Sequence, residues 1–496
     1  MIYYRIYRCA NREESAILTT NMTKATKLED IVSLAKRRGF IFPGSDVYGG
    51  LSGTWDYGPL GTALKRNITD LWWQMFVEER DDMYGVDASI LMNQKVWQAS
   101  GHVDTFTDPL VECSNCNARH RADKLDDPNK CPTCGKTGTF GEPVQFNMMF
   151  KTVVGPKWGA AKAQLGDYMT GELVAIDKDG NEVEGTRFKL RKDNNFDAAM
   201  LYEQSAESYL RPETAQGIFT NYKNVVDVFY PDLPFGIAQQ GKAFRNEISP
   251  RDFVFRSREF EQMEIEYFVH PDKWQEAFDH WVEQCKKWFD ALGLPADMIH
   301  ELEVPEDDRA HYSKRTIDFE FDFPIGREEL MGLAYRTDFD LKNIHDNSGK
   351  NMEYQIKGTN EKFIPHVIEP SFGVERALMA VLTAAYTEDE VNGEARVFLK
   401  LPEHLAPVKY AVSPLLKNKP ELVEKAREVY KALKAKHGNV MWDDNGNIGK
   451  RYRRQDEIGT PYCVVIDFQT LEDDTVTVRE RDTTEQTRKK VDILQR

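Results

Sequence analysis

The sequence predicts an α+β protein: an antiparallel sheet flanked by helices, with a metal-ribbon insertion and a separate α/β module at the C-terminus. Three observations carry that expectation. In Ile317–Phe323 (IDFEFDF) apolar residues hold one parity and Asp318, Glu320 and Asp322 the other, the alternation of a half-buried antiparallel strand. Two C-x₂-C pairs, Cys113/Cys116 and Cys131/Cys134, stand 14 residues apart. Beyond residue 405, strand-like runs (YCVVIDF, TVTVRE) accompany an amphipathic helix over Glu421–His437.

At the N-terminus, residues 1–21 fit poorly with the pattern of the remaining chain. They are expected to be a disordered extension, unless translation begins at Met22. Leu28, Ile31, Leu34 and Ala35 then recur at helical spacing, with Lys36, Arg37 and Arg38 in the last turn and Gly39 as the stop. A second helix is predicted over Tyr57–Arg80, with Pro59 near its start and a broad apolar face that suits either a core or an interface. Glu259–Phe268 (EFEQMEIEYF) reads as an acid-rich strand and Trp274–Leu292 as an amphipathic helix. The prolines of LPEHLAPVKY mark a boundary near residue 405. That gives a catalytic-sized body over 22–404, containing the ribbon at 111–140 and a variable insertion at 156–200, followed by a module over 405–496. The DKDGNE centre of the insertion suggests a hairpin with an Asp-Gly turn.

With 496 residues, of which 41% are hydrophobic, the chain has ample material for a core, which excludes global disorder. No run approaches the roughly 18 apolar residues of a membrane span, and MIYYRIYRCANREES lacks the apolar stretch of a signal peptide. A soluble, cytoplasmic protein is the expectation. The net charge of −16 argues against indiscriminate binding to nucleic acid. Residues 405–496 nevertheless carry a balance of +3 against −19 for the remainder, as if one module meets an anion that the rest does not need.

Paired C-x₂-C knuckles suit a tetrahedral Zn²⁺; four thiolates leave no open position, so the zinc is expected to be structural. In Phe235–Glu266, Arg245, Arg256 and Arg258 lie on neighbouring strand-like segments with Phe255 and Phe260 between them. Guanidinium forks of this kind grip phosphate, and a ring among them stacks on a base. The same composition also suits an arginine-rich hairpin tied to its own glutamates. Ile368–Leu382 reads as a strand, a Ser-Phe-Gly turn and a helix carrying Arg376, an anion-binding arrangement or an ordinary helix start. Neither G-x-x-x-x-G-K-[ST] nor G-x-G-x-x-G occurs, so the commoner nucleotide loops are unsupported.

Six motifs in register, WDYGPLG, RPETAQGIF, FRNEISPR, FRSREFEQME, EPSFGVER and GKRYRRQDEIGTPY, resemble the homodimeric type of glycyl-tRNA synthetase from about Leu28 to the C-terminus. The resemblance implies a class II catalytic sheet of six or seven antiparallel strands and a C-terminal anticodon-binding domain. It implies glycine, ATP, Mg²⁺, Zn²⁺ and tRNA-Gly as substrates, cofactors and partner. As catalytic residues it implies Arg245 and Arg376. For glycine it implies Arg121, Glu213, Phe260, Glu261, Gln262 and Met263, together with Glu264, Glu369, Ser371 and Gly373. For ATP it implies Arg245, Asn246 and Glu247; the run Phe255, Arg256, Ser257, Arg258, Glu259 and Phe260; Glu329 and Leu330; and Gly373, Val374, Glu375 and Arg376. Glu329 is implied for magnesium, and Lys450, Arg451, Arg453 and Arg454 for the anticodon. A homodimer built on the Tyr57–Arg80 helix would cover part of Trp72, Trp73 and Met75. The rivals are a prolyl or threonyl relative, which lack the RPETAQGIF and EPSFGVER wording, and an accessory subunit without catalysis, which the intact motif arginines oppose.

Overall fold

Helix α1 (Leu28–Arg38) buries Ile31, Leu34 and Ala35 and ends at Gly39, whose φ of 74° only a glycine adopts at low cost. Helix α2 (Pro59–Trp73) starts on Pro59, whose missing N–H would be unpaired there in any residue. It runs into a π-helical stretch, Gln74–Glu78, rather than continuing as one α-helix to Arg80. Trp72 is fully buried against Phe76 and Phe372 of its own chain, so it is not open to the cover expected from a partner.

The computed structural model describes residues 23–24, 27–154, 172–173, 188–189 and 207–495. The 1–21 extension and the Asp-Gly turn expected in the insertion lie outside them; the flanking pieces Glu172–Leu173 and Phe188–Lys189 pair antiparallel. Two units emerge: Lys27–Ala384 with Leu401–Lys409, and Ala385–Lys400 with Tyr410–Arg496.

In the first unit, strand β1 (Met83–Gly85) follows α2. A small sheet of β2 (Thr107–Glu112), β3 (Arg119–Arg121) and β4 (Val144–Asn147) carries the cysteine ribbon. Helix α3 (Ala215–Phe229) precedes β5 (Phe235–Phe244) and β6 (Glu259–Val269). Then come α4 (Trp274–Leu292), β7 (Ile299–Glu303), β8 (Arg315–Phe323), β9 (Gly326–Thr337), α5 (Phe339–Ser348), β10 (His366–Gly373) and α6 (Val374–Ala385). The main sheet has seven strands in the order β7-β8-β9-β10-β6-β5-β1, antiparallel except where β1 joins β5. Ile218, Phe219 and Tyr222 of α3 pack on Phe235, Ile237 and Phe268 of the sheet. Strand β10 is central and pairs on both edges, through Ser371 with Glu264 and with Gly332. The expected Ser-Phe-Gly turn is therefore strand, and α6 begins directly after it.

The second unit holds the hairpin β11 (Tyr386–Val391) and β12 (Glu394–Leu399), and then β13 (Tyr410–Pro414), α7 (Pro420–His437), β14 (Val440–Trp442), α8 (Ile448–Glu457), β15 (Tyr462–Ile466), β16 (Thr475–Glu480) and β17 (Gln486–Lys490). Its five-stranded sheet runs β14-β13-β15-β16-β17. The boundary expected near 405 moves to 409/410, because Leu405 and Ala406 are fully buried in the first unit and their carbonyls accept from Asn67. The hairpin, moreover, sides with the second unit. Arg396 of β12 is buried and donates to Asp389, to Asp456 of α8 at 3.4 Å and to the carbonyl of Arg481 at 2.7 Å. Arg396→Ala leaves the half-buried Asp389 without its cation, while buried Asp456 keeps Arg479, so the second unit is expected to lose about 1–3 kcal/mol in urea unfolding; no measurable loss contradicts this account.

Candidate active site

Arg245 follows β5 directly, and its N–H donates to the carbonyl of Arg258 at 2.9 Å, which continues the β5–β6 pairing past the strand end. Its guanidinium lies 5.2 Å from the Phe260 ring and donates to the carbonyl of Pro212 at 3.1 Å. Across a cavity of about 240 Å³, Arg376 of α6 lies 4.7 Å from the Phe255 ring and pairs with Glu329 of β9 at 3.0 Å. Arg121, Glu247, Arg256, Ser257, Leu330, Gly373 and Glu375 are also among its walls. Two arginines, a flat ring and a rim carboxylate are the groups a nucleotide triphosphate needs.

A second cavity, of about 260 Å³, shares Arg245, Gln262, Glu329 and Ser371 with the first and is walled by Glu213, Glu264 and Glu369. Each of these buried carboxylates is held by partners. Glu264 accepts from the Thr214 N–H at 3.0 Å, from its hydroxyl, from Gln262 at 2.8 Å and from Ser371 at 2.7 Å. Glu369 meets Arg336 at 2.6 Å, and Arg336 also pairs with Asp340 at 2.8 Å. Glu213 faces His102 Nε2 at 3.3 Å, while Ser100 holds the other ring nitrogen at 2.8 Å. Burial pushes the Glu369 carboxyl up to about 8 although Arg336 opposes it, and burial with the charge of Glu213 raises Glu264. Burial also opposes ionisation of Glu213, but His102 and the arginines outweigh it and hold that carboxyl at about 2. One ionised and two reluctant carboxylates around a small cavity make a receptor for a compact cation.

Several residues implied for this site lie elsewhere. Glu259, Glu261 and Met263 occupy the parity opposite to Phe260, Gln262 and Glu264, so they point to the other face of the sheet. There Glu261 pairs with Lys65 at 2.6 Å and Glu259 with Lys242 at 2.5 Å, and Met263 is core. Val374 is also core. Arg258 donates to the carbonyls of Ser52 and Glu247, which fixes the loop instead of facing the cavity. Asn246 does not line either cavity; its N–H bonds the Met148 carbonyl.

The four paired cysteines converge until all their sulfurs lie within 4.8 Å of one another. Both knuckles have the same geometry: Asn117 (φ 57°) and Gly135 (φ 72°) follow the second thiol of each pair and donate back to Cys113 and Cys131 at 2.8 Å.

Family comparisons agree with this geometry. Residues 197–385 match the tRNA synthetase class II core domain (G, H, P, S and T), and residues 409–495 match the anticodon binding domain. A glycine–tRNA ligase of Thermobifida fusca is 44% identical over 95% of this chain and 97% of its own length. The chain belongs to the glycine–tRNA ligase family. A ligase of the same name from Alkaliphilus metalliredigens is 46% identical over 96% of this chain and 98% of its own, and one from Clostridium kluyveri 45% over 94% and 96%. A prolyl-tRNA synthetase from Cryptosporidium parvum, crystallised with L-proline and AMP, shares the fold with a TM-score of 0.57 at 14% identity, covering 94% of this chain and 73% of that one.

Within the family's anticodon-binding domain, the basic run GKRYRR is helix α8. Arg451 is buried and spends its guanidinium on the carbonyls of Pro414, Asp444 and Gly446, so it is not placed to touch RNA. Arg454 pairs with Asp443 at 2.7 Å and Arg453 with Glu394 at 3.5 Å; Lys450 is exposed. Sequence reasoning missed Arg336, Asp340, His102 and Thr214. Only Arg336 left a trace, as a lone cation in the apolar run LAYRTDF.

The raised carboxyls set a pH dependence. A carboxyl whose pKa is higher in the fold than in the open chain contributes stability that is full below about 4.5, its unfolded value, and is lost as pH rises towards 8. The free protein should therefore lose thermal stability from pH 5 to pH 8, at about 1.4 kcal/mol per pH unit for each proton released on unfolding. Glu369→Gln should flatten that slope; a melting temperature level across the window in the parent protein contradicts the assignment.

Proposed function

We propose that the chain ligates glycine to tRNA-Gly in two steps on the face of the main sheet where the arginine cleft adjoins the carboxylate cavity. The shared wall of the two cavities carries this reading, because the two reactants of the first step are an ammonium-bearing acid and a triphosphate. The glycine carboxylate attacks the α-phosphorus of ATP; a P–O bond forms, and pyrophosphate leaves with the electrons of the broken one. A carboxylate is already a nucleophile, so no general base is needed. The work lies in bringing two anions together and stabilising charge on phosphorus. In this reading Arg245 serves both the α-phosphate and the glycine carboxylate, and Phe260 stacks on adenine. Arg376 serves the other ring face or the γ-phosphate, and Glu247 with the Phe255 backbone the base edge. In the second step the 3′-terminal hydroxyl of the tRNA takes the glycyl group and AMP departs.

Divalent cation and zinc both fit residues that are present. A Cβ built on Gly332 would stand 3.6 Å from Asp318 and 4.0 Å from Glu329, so the missing side chain keeps open a space between two hard oxygen donors. Glu329 would hold a magnesium ion there, and the ion would neutralise charge on the phosphates. In the ribbon, Cys113–Cys134 and Cys116–Cys131 sulfur separations of 3.7 Å match the edge of a tetrahedron with Zn–S bonds of about 2.3 Å. Such a zinc cross-links the ribbon that carries Arg121. The reading extends to a cytoplasmic homodimer, with anticodon contacts on the side of α8 that presents Lys450.

Selection of glycine follows from exclusion. Glu213, Glu264, Glu369 and Ser371 surround the ammonium site, and the bonds that fix both oxygens of Glu264 keep that wall from yielding to a Cβ. ATP–pyrophosphate exchange with all twenty amino acids tests the whole reading. Glycine alone should support it, and Arg245→Ala should lower the rate about 10²–10³-fold. Glu264→Asp withdraws one methylene and should raise alanine activation about 10–200-fold while weakening glycine. Exchange driven equally by a larger amino acid in the parent enzyme defeats the proposal. For the ribbon, metal analysis of protein purified without chelators should find one zinc per chain, and Cys113→Ser should lower it.

A further inference from the structure

Glu375, beside Arg376 in the first turn of α6, is among the residues lining the arginine cleft, yet both of its carboxylate oxygens are taken up by protein partners. One oxygen accepts from the Glu261 N–H at 2.8 Å and the other from the Tyr57 hydroxyl at 3.2 Å. Glu375 is buried. Tyr57 ends the short strand Trp55–Tyr57, two residues before α2 begins, and Lys65, nearly two turns into α2, places its ammonium 4.6 Å from the Tyr57 ring. The same ammonium pairs with Glu261 at 2.6 Å, and Lys242 of β5 stands 3.7 Å from that carboxylate. Burial pushes Glu375 up to about 7, with the charge of Glu261 reinforcing and Lys65 opposing.

We infer that Glu375 is a positioning residue and not an ATP ligand: with Tyr57, Lys65 and Glu261 it ties α2 to the two elements that carry the nucleotide-clamping groups. Glu261 follows Phe260 on β6, and Glu375 precedes Arg376 on α6. One hydrogen bond between the two neighbours therefore fixes the spacing between the stacking ring and the clamping arginine. The Tyr57 and Lys65 contacts fix that spacing against α2, so a shift of the helix reaches the cleft without any residue of α2 touching ATP. The cluster does not require a charge on Glu375. A neutral acid, or an amide, still offers one oxygen to the Glu261 N–H and one donor to the Tyr57 oxygen, whose hydroxyl accepts as readily as it donates.

The test rests on the ATP-cleft assignment above and uses the full chain. Exchange kinetics are measured at varied ATP and varied glycine for Glu375→Ala, Glu375→Gln and Tyr57→Phe. Glu375→Ala should raise the KM for ATP about tenfold or more with the KM for glycine moved less than about threefold, since only the nucleotide clamps lose their spacing. Glu375→Gln should recover most of that loss. Tyr57→Phe, which removes a single hydroxyl and keeps the protein folded if the alanine variant does not fold, should raise the same constant about two- to fivefold. If Glu375→Gln is as damaged as Glu375→Ala, the charge itself is needed and Glu375 is a ligand. If Tyr57→Phe and Glu375→Ala both leave the KM for ATP at the parental value, the cluster positions nothing. Either result overturns the inference while parental glycine-dependent exchange stays intact; absence of that exchange in the parent defeats the cleft assignment instead.

Discussion

Everything at the site depends on one constraint: carboxylates gathered in a buried pocket repel one another and prefer to be neutral. Arg336 is the group that makes the arrangement tolerable. It lies almost wholly inside the protein, pairs with Asp340 and Glu369, and rests 3.7 Å over the Tyr312 ring. His102 and Thr214 do the same for Glu213 and Glu264 from the periphery. A buried cation with fewer partners would itself be costly, and so would any of these acids alone. Glu266 completes the set: it is fully buried, neither oxygen has a hydrogen-bond partner among the described residues, and burial followed by the charge of Glu369 drives it towards the neutral acid.

Strand geometry then keeps the two kinds of charge apart. Along β6, Phe260, Gln262 and Glu264 face the cavities while Glu261 and Met263 face α2 and the core. Nearly adjacent residues thus serve opposite surfaces, with the two cavities on one side and the Lys65–Glu261 pair on the other. The seven-stranded sheet acts as a rigid partition, and β10 at its centre is paired along both edges where Ser371 lines the pocket.

Much of this was legible in the chain. The alternation in IDFEFDF located β8, the helical spacing of Leu28 to Ala35 located α1, and the twin C-x₂-C pairs located the ribbon. Of the motif arginines, Arg245, Arg256 and Arg376 line one cavity and Arg258 does not. Parity was visible in EFEQME, but its direction was not: nothing local says whether Glu261 or Glu264 turns inward, since that choice is made by the strands and helices on either side. Arg451 and Lys450 show the same limit. They are neighbours in one basic run, and only the carbonyls of Pro414, Asp444 and Gly446, brought in by the fold, separate a structural arginine from an exposed lysine. His102 had no local signature, because Glu213 is more than a hundred residues away in sequence, whereas Asp340 stands only four residues from Arg336 and the i,i+4 spacing went unread.

The hairpin β11–β12 gives the C-terminal unit an architecture that a linear map conceals. It lies before the connecting segment Leu401–Lys409, yet it is fastened through Arg396 to Asp456 and the Arg481 carbonyl. The RNA-binding module is therefore discontinuous, and its sequence wraps around a strap that belongs to its neighbour. Grafting such a module onto another synthetase, or exchanging it between relatives by recombination, meets two candidate seams, and each breaks a different contact. A crossover near residue 405 severs the hairpin from the helix it completes, whereas one near residue 385 carries the strap along and leaves Asn67 without the carbonyls of Leu405 and Ala406 from its own lineage.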